Sequence, residues 1–131
     1  MEVSRVLETV LYVRDLDEAR DFYVGVLGLR LVTEQAGRHV FLRCGESMVL
    51  LFNPAETERP DPSGVPVHGA RGPSHVAWAV PAEDIEAWRA HLQAHGVRIE
   101  HEHAWPNAGH SLYFRDPSGN SLEVATASVW H

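Results

Sequence analysis

Apolar positions along the chain alternate between two periods. Residues 6–13, VLETVLYV, are rich in β-branched and aromatic side chains and read as a strand. Over residues 16–27 the period lengthens, with Leu16, Ala19, Phe22, Tyr23 and Val26 at helical spacing, Asp15 placed to cap the start and Gly28 to end the turn. Apolar runs at 29–34, 39–44 and 48–52, broken at Gly37 and Gly45, read as three more strands. This stretch is therefore β-α-β-β-β.

Residues 53–73, NPAETERPDPSGVPVHGARGP, carry five prolines and three glycines, a composition that supports neither a ladder nor a helix of useful length. The segment reads as a connector or lid. After it the pattern restarts: a strand at 74–80, a helix at 81–95 opened by Pro81 and stopped by Gly96, and strands at 97–103, 110–115 and 121–126. ETVLYV from Glu8 superposes on HVAWAV from His75 at a shift of 67, GLRL from Gly28 on GVRI from Gly96 at 68, and Leu50 on Glu123 at 73. The insertions fall in turns, as expected of two copies of one unit. One such unit cannot bury both faces of its sheet. The expected fold is α+β: a single domain over 1–131 made of tandem βαβββ modules, 5–53 and 73–126, joined by 54–72, with a curved mixed sheet around a cleft.

Three polar residues interrupt this pattern. Glu8 and His75 hold the same position of the opening strand in their two modules, and Glu123 lies in the last strand, between Leu122 and Val124. Strand parity places Glu8 with Val10 and Tyr12, His75 with Ala77 and Ala79, and Glu123 with Ser121 and Ala125. An ionised carboxylate without a partner in apolar surroundings costs several kcal/mol even after relaxation. Two carboxylates and an imidazole converging on one face therefore call for a divalent cation. The plainer reading makes Glu8 a solvated edge charge, His75 a hydrogen-bonded core histidine, and Glu123 a partner of Arg115 or Arg30.

Charge and composition narrow the partners. The 131 residues carry a formal net charge of −7, which disfavours a phosphate-binding surface and with it nucleic acid or an anionic membrane. Cys44 is the only cysteine, so thiolate cages and internal disulfides are excluded, and it reads as a small buried residue in a reducing compartment. The opening residues lack a basic segment followed by an apolar one, and no apolar run approaches a membrane span; a cytoplasmic location is expected.

The two-module pattern, with LYVRDLDEARDFYVGVLGL in the first half, SHVAWAV opening the second and SLYFRDPSGNSLEV near the end, resembles the vicinal oxygen chelate superfamily. That superfamily includes glyoxalase I, fosfomycin-resistance proteins, methylmalonyl-CoA epimerase, extradiol dioxygenases and bleomycin-resistance proteins. The resemblance covers about residues 5–126 and implies that its metal-ligand positions fall on Glu8, Leu50, His75 and Glu123. Leu50 cannot bind a metal, which leaves three ligands. It also implies one divalent ion per site (Mn, Ni, Co, Zn or Fe), a small-molecule substrate chelated through neighbouring oxygens, and a homodimer in which Glu8 of one chain can face His75 and Glu123 of the other. Glu8 stands where dioxygenases and fosfomycin transferases usually have His, and the two-His, one-carboxylate set is the usual Fe(II) site.

Candidate proton-moving groups follow from parity. His101 and His103 share one face of their strand, whereas Glu100 and Glu102 take the other; Ser111 and Tyr113 share a face, and the matching Ser and Tyr line the cavity in the fosfomycin-resistance branch. The expected function is a metal-dependent lyase or isomerase with Tyr113, His101, His103 and Ser111 at its site. The alternatives are an extradiol-type dioxygenase acting on an aromatic diol, a metal-free drug-binding protein, and a metal-independent enzyme using the histidines alone. His39 and His68 read as structural, and Trp78, Trp88 and Trp105 as core or subunit-interface residues.

Overall fold

The computed structural model describes all 131 residues. The first compact unit is Met1–Gly72 and the second Pro73–His131. In the first, β1 (Glu8–Tyr12), α1 (Leu16–Gly25), β2 (Arg30–Gln35), β3 (His39–Cys44) and β4 (Ser47–Phe52) form a four-stranded mixed sheet in the order β1-β4-β3-β2. Asp15 caps α1 by accepting from the Glu18 amide at 3.0 Å, and Gly28, at φ 70°, turns the chain out of the helix. Ala19 and Tyr23 of α1 are buried, as are Leu11, Leu42, Val49 and Leu51 of the sheet. Cys44, expected to be buried, is half-exposed at the end of β3.

The connector does not stand apart from this unit. It opens with a single helical turn, α2 (Pro54–Thr57), capped by Asn53, and returns so that the His68 amide donates to the Thr57 carbonyl at 3.0 Å. The His68 ring then packs on Phe52 and meets the Tyr12 hydroxyl, and Arg71 pairs with Glu58. His68 is thus part of the cover over the first module's sheet face.

The second unit repeats the topology. β5 (His75–Val80), a 3₁₀ turn (Ala82–Asp84), α3 (Ile85–Ala94), β6 (His101–Ala104), β7 (His110–Arg115) and β8 (Ser121–Thr126) give a sheet in the order β5-β8-β7-β6, followed by a 3₁₀ turn at Ala127–Trp130. Ile85 and Leu92 of α3 are buried with Leu112, Phe114, Leu122 and Val124 of the sheet. The strand expected over 97–103 begins only at His101. Val97 is used to leave the helix, its amide donating to the Leu92 carbonyl at 2.9 Å, and pairing with β7 starts only at Glu100, whose amide donates to the Tyr113 carbonyl at 2.7 Å.

Register confirms the repeat residue by residue. Val10 faces Leu50, which faces Phe41; at the same points of the second module Ala77 faces Glu123, which faces Tyr113. One pair further along, Tyr12 faces Phe52 and Phe52 faces His39, whereas Ala79 faces Ala125 and Ala125 faces Ser111. Equivalent positions therefore carry large rings in the first module and small side chains in the second.

Candidate metal and substrate site

The turn Asp116–Asn120 sets the geometry of the second module's site. Asp116 is buried and accepts from the Ser118 and Asn120 amides, each at 2.9 Å, while Gly119 adopts φ 89°. The Asn120 side chain donates to Asp116 and accepts from the Ser74 amide at 2.9 Å, and the Ser121 amide donates to the Ser74 carbonyl at 2.8 Å. This turn thereby joins the start of β5 to the start of β8. It fixes the parallel register that puts His75 opposite Ser121 and one step from Glu123.

His75 Nδ1 lies 2.9 Å from the Ser121 carbonyl oxygen, and its Nε2 lies 3.2 Å from Glu123 Oε2. A carbonyl only accepts, so Nδ1 carries the proton and donates. Without a proton on Nε2, that nitrogen and a carboxylate oxygen would be two acceptors facing each other. Such a pair needs a cation between or upon it, whether a proton on Nε2 or a metal ion. A backbone carbonyl fixing the far nitrogen is also the usual support of a ligating histidine. Glu123 is only 7% exposed, whereas Arg115 is engaged by Glu100 at 2.8 Å and by the Gly119 carbonyl at 3.1 Å. The carboxylate is therefore not the Arg115 partner of the plainer reading. In donor type and tautomer the pair fits a divalent ion.

The predicted set of three is met as a pair: no group of three or more His, Cys, Asp or Glu side chains is gathered in the chain. Glu8 stands exposed at the start of β1, in the first module. The remaining candidates lie in the second. Tyr113 is cross-strand from Glu123, and burial, with the Glu123 charge second, raises its phenol above the ordinary value. His101 pairs with Tyr113 across β6 and β7, their rings 6.0 Å apart, and the His75 ring lies 6.4 Å from Tyr113 on the other side. His103 follows at 5.7 Å from His101 and meets the Trp105 ring at 4.4 Å. Ser111 is fully buried and accepts from the Trp105 indole N–H at 2.9 Å, so it positions that ring.

His75, Tyr113 and Glu123 form the polar edge of a cavity of about 460 Å³. Its other walls include Trp78 and Trp105, which sequence reasoning assigned to core or interface, together with Val129 and Trp130 of the last turn. No period in the sequence distinguishes an indole that closes a core from one that closes a cavity. Ala77, Ala79 and Ala125 were the available signal, since they hold positions where the first module has Val10, Tyr12 and Phe52. On the opposite side of β6, Glu102 pairs with Arg89 of α3, which fits the face assigned to it.

Comparison with known proteins agrees with this architecture. Residues 5–124 match the Glyoxalase/Bleomycin resistance protein/Dioxygenase superfamily, and the chain belongs to that family. The crystal structure of a lactoylglutathione lyase from Agrobacterium tumefaciens superposes with a TM-score of 0.96 at 40% identity, covering 99% of this chain and 98% of that one. A catechol-2,3-dioxygenase of Bacillus subtilis (strain 168) is 28% identical over 116 residues, 87% of this chain and 38% of its own length. The glutathione transferase FosA of Serratia marcescens is 29% identical over 119 residues, 91% of this chain and 78% of its own. No helix is long and apolar enough to cross a membrane.

Proposed function

We propose that the protein is a cytoplasmic, divalent-metal-dependent lyase or isomerase acting on a small substrate with two neighbouring oxygens. The observation that carries this reading is the His75–Glu123 pair: Nδ1 committed to the Ser121 carbonyl, Nε2 and a buried carboxylate oxygen facing each other at 3.2 Å. His75 and Glu123 would hold one ion (Mn, Ni, Co, Zn or Fe) with Glu8 as third ligand, from this chain or from a second copy in a homodimer. When bound, such an ion supplies Lewis-acid stabilisation of negative charge developing on a chelated oxygen. Tyr113, kept protonated by burial and by Glu123, would donate a hydrogen bond at the edge of the cavity. His101 and, beyond it, His103 continue the row and serve as the proton-moving groups. Ser111 acts on this site through Trp105.

A second reading, an extradiol-type dioxygenase, draws on the likeness to the Bacillus catechol-2,3-dioxygenase; Glu8 in place of a histidine weighs against it. Elemental analysis of the untagged protein beside His75→Ala and Glu123→Ala tests both. The expected result is about one divalent ion per chain, lost in both variants. Iron as the retained metal would favour the dioxygenase, and a metal-free protein after reconstitution would overturn the metal-dependent reading altogether.

A further inference from the structure

Two modules of one topology present the same sheet face with opposite fillings. In the first, Tyr12 and Phe52 fill it with rings, and the His68 ring lies over them, 5.8 Å from Tyr12 and 5.1 Å from Phe52. In the second, the register-equivalent residues are Ala79 and Ala125, and the vacated volume is the 460 Å³ cavity. The space opens to solvent, with His75, Ala77, Ala79 and Trp130 exposed along it, so a ligand can enter it directly. The side chains bounding the space are not arranged as a core either. Trp130 is 90% exposed yet lines the cavity, and Trp105 is held by its N–H on Ser111 with its ring turned to the cavity.

The last turn is itself clamped over this space. Asn107 donates through Nδ2 to the Ser128 and His131 carbonyls, and the Thr126 and Ser128 hydroxyls are bonded at 3.0 Å. Val129 lies so close to Gly109 that a Cβ there would meet its Cγ1 at 2.6 Å. This wall is built onto the β6–β7 turn, and it keeps Val129 and Trp130 at the cavity.

We propose that this cavity is a subsite for an uncharged aromatic arm of the substrate, whose ring takes the place that Tyr12 and Phe52 fill in the first module. Tryptophan walls suit a flat apolar group, and no Lys or Arg lines the cavity to meet an anionic one. The substrate class is then a neutral aromatic compound with two neighbouring oxygens beside the ring, and Ala79, Trp105 and Trp130 are its specificity-determining residues. This rests on the proposed metal edge only for the oxygens; the arm site stands on the cavity alone.

The test compares three probes by isothermal titration calorimetry. Hydroxyacetone and 2-hydroxyacetophenone share the two oxygens and differ in the ring, and acetophenone keeps the ring with one oxygen. Wild type should bind 2-hydroxyacetophenone at least about tenfold more tightly than hydroxyacetone, the worth of burying one ring. Acetophenone should still bind after chelator treatment. In Ala79→Tyr, which copies Tyr12 and fills the space, the preference should fall to within about threefold, and Trp130→Ala, an exposed position, should lower it with the fold intact. No ring preference in wild type, an undiminished preference in Ala79→Tyr, or tighter binding of S-lactoylglutathione than of 2-hydroxyacetophenone each overturns the proposal. Retained acetophenone binding with hydroxyacetone binding indifferent to metal would support the arm site while removing the metal-dependent reading, so the two fail separately.

Discussion

Replacing Glu123 by Gln separates a metal ligand from a structural ion pair, because the two roles predict stability changes of opposite sign. The substitution keeps the shape of the side chain and removes its charge at a position 7% exposed. If a protonated His75 were the intended partner, removing the carboxylate would destabilise the protein by about 1–2 kcal/mol, because the His75 side chain is 50% exposed and solvent takes up much of the loss. If the pair is half of a cation site, the metal-free protein gains: a glutamine amide N–H donates to His75 Nε2, and two facing acceptors become a hydrogen bond worth about 1 kcal/mol. The metal-free variant should then melt at or slightly above metal-free wild type.

Metal addition gives the second half of the test. A ligand at one hundred times its Kd stabilises by about 2.7 kcal/mol. Unfolding entropy of about 2.1 cal/mol/K per residue, over 131 residues, converts each kcal/mol into about 4 °C, so wild type should rise by about 10 °C on loading and Glu123→Gln by under about 2 °C. Differential scanning calorimetry of both proteins, chelator-treated and with Mn, Ni or Zn, reads all four values. A metal-free Glu123→Gln that melts about 4 °C or more below metal-free wild type, or that gains as much from metal, refutes the reasoning.

Two further outcomes follow from the same geometry. Burial, reinforced by Glu123, raises the Tyr113 phenol above its ordinary 10.0, so its contribution to stability is full below that pH and is lost as pH rises through the higher folded value. Ultraviolet difference titration of wild type against Tyr113→Phe should show this, with a smaller rise in the Glu123→Gln background; a Tyr113 titrating at or below 10 contradicts it. Gly109→Ala should push Val129 and the last turn off the β6–β7 hairpin, since the new Cβ meets Val129 Cγ1 at 2.6 Å and its backbone at 3.0 Å. A loss of about 1–3 kcal/mol is expected, visible as a lower Tm with unchanged far-ultraviolet dichroism, and an unchanged Tm would show that this wall is not held as described.

Strand periodicity made most of the fold legible, because hydrophobic alternation and glycine stops report local geometry directly. The strands at His39–Cys44, His110–Arg115 and Ser121–Thr126 fall on the residues read from the pattern, and the internal repeat carried Leu50 onto Glu123. Parity grouped His101 with His103, Tyr113 with Ser111 and Glu123 with Ala125, and the register brings these faces to one side of the sheet. Periodicity misread the start of the strand expected over 97–103, where Val97 serves the helix exit, and it overlooked Trp78 and Trp105 as cavity walls. A single strand's period says which way a side chain points and nothing about what stands above it. The last turn at Ala127–Trp130 was silent for the same reason: its place depends on Asn107 and Gly109, far along the chain from any apolar pattern.

Leu50 supplies an internal control for the meaning of Glu123. Both residues sit at register-equivalent points of the last strand of their modules, paired to one side with a residue of the opening strand and to the other with an aromatic residue, Phe41 or Tyr113. Leu50 is buried there, so this backbone position folds with an apolar side chain, as the hydrophobic effect favours. Nothing in the topology asks for a carboxylate. A residue whose burial works against folding, at a point where the same fold is seen to do without it, is the one a proposed ligand role would account for. The same comparison applies to Ala79 against Tyr12 and Ala125 against Phe52, where the second module forgoes buried rings and keeps open space. Charge added at one position and volume removed at two neighbouring ones lie on one face of one sheet, which is the arrangement that the proposed cation and aromatic arm would require.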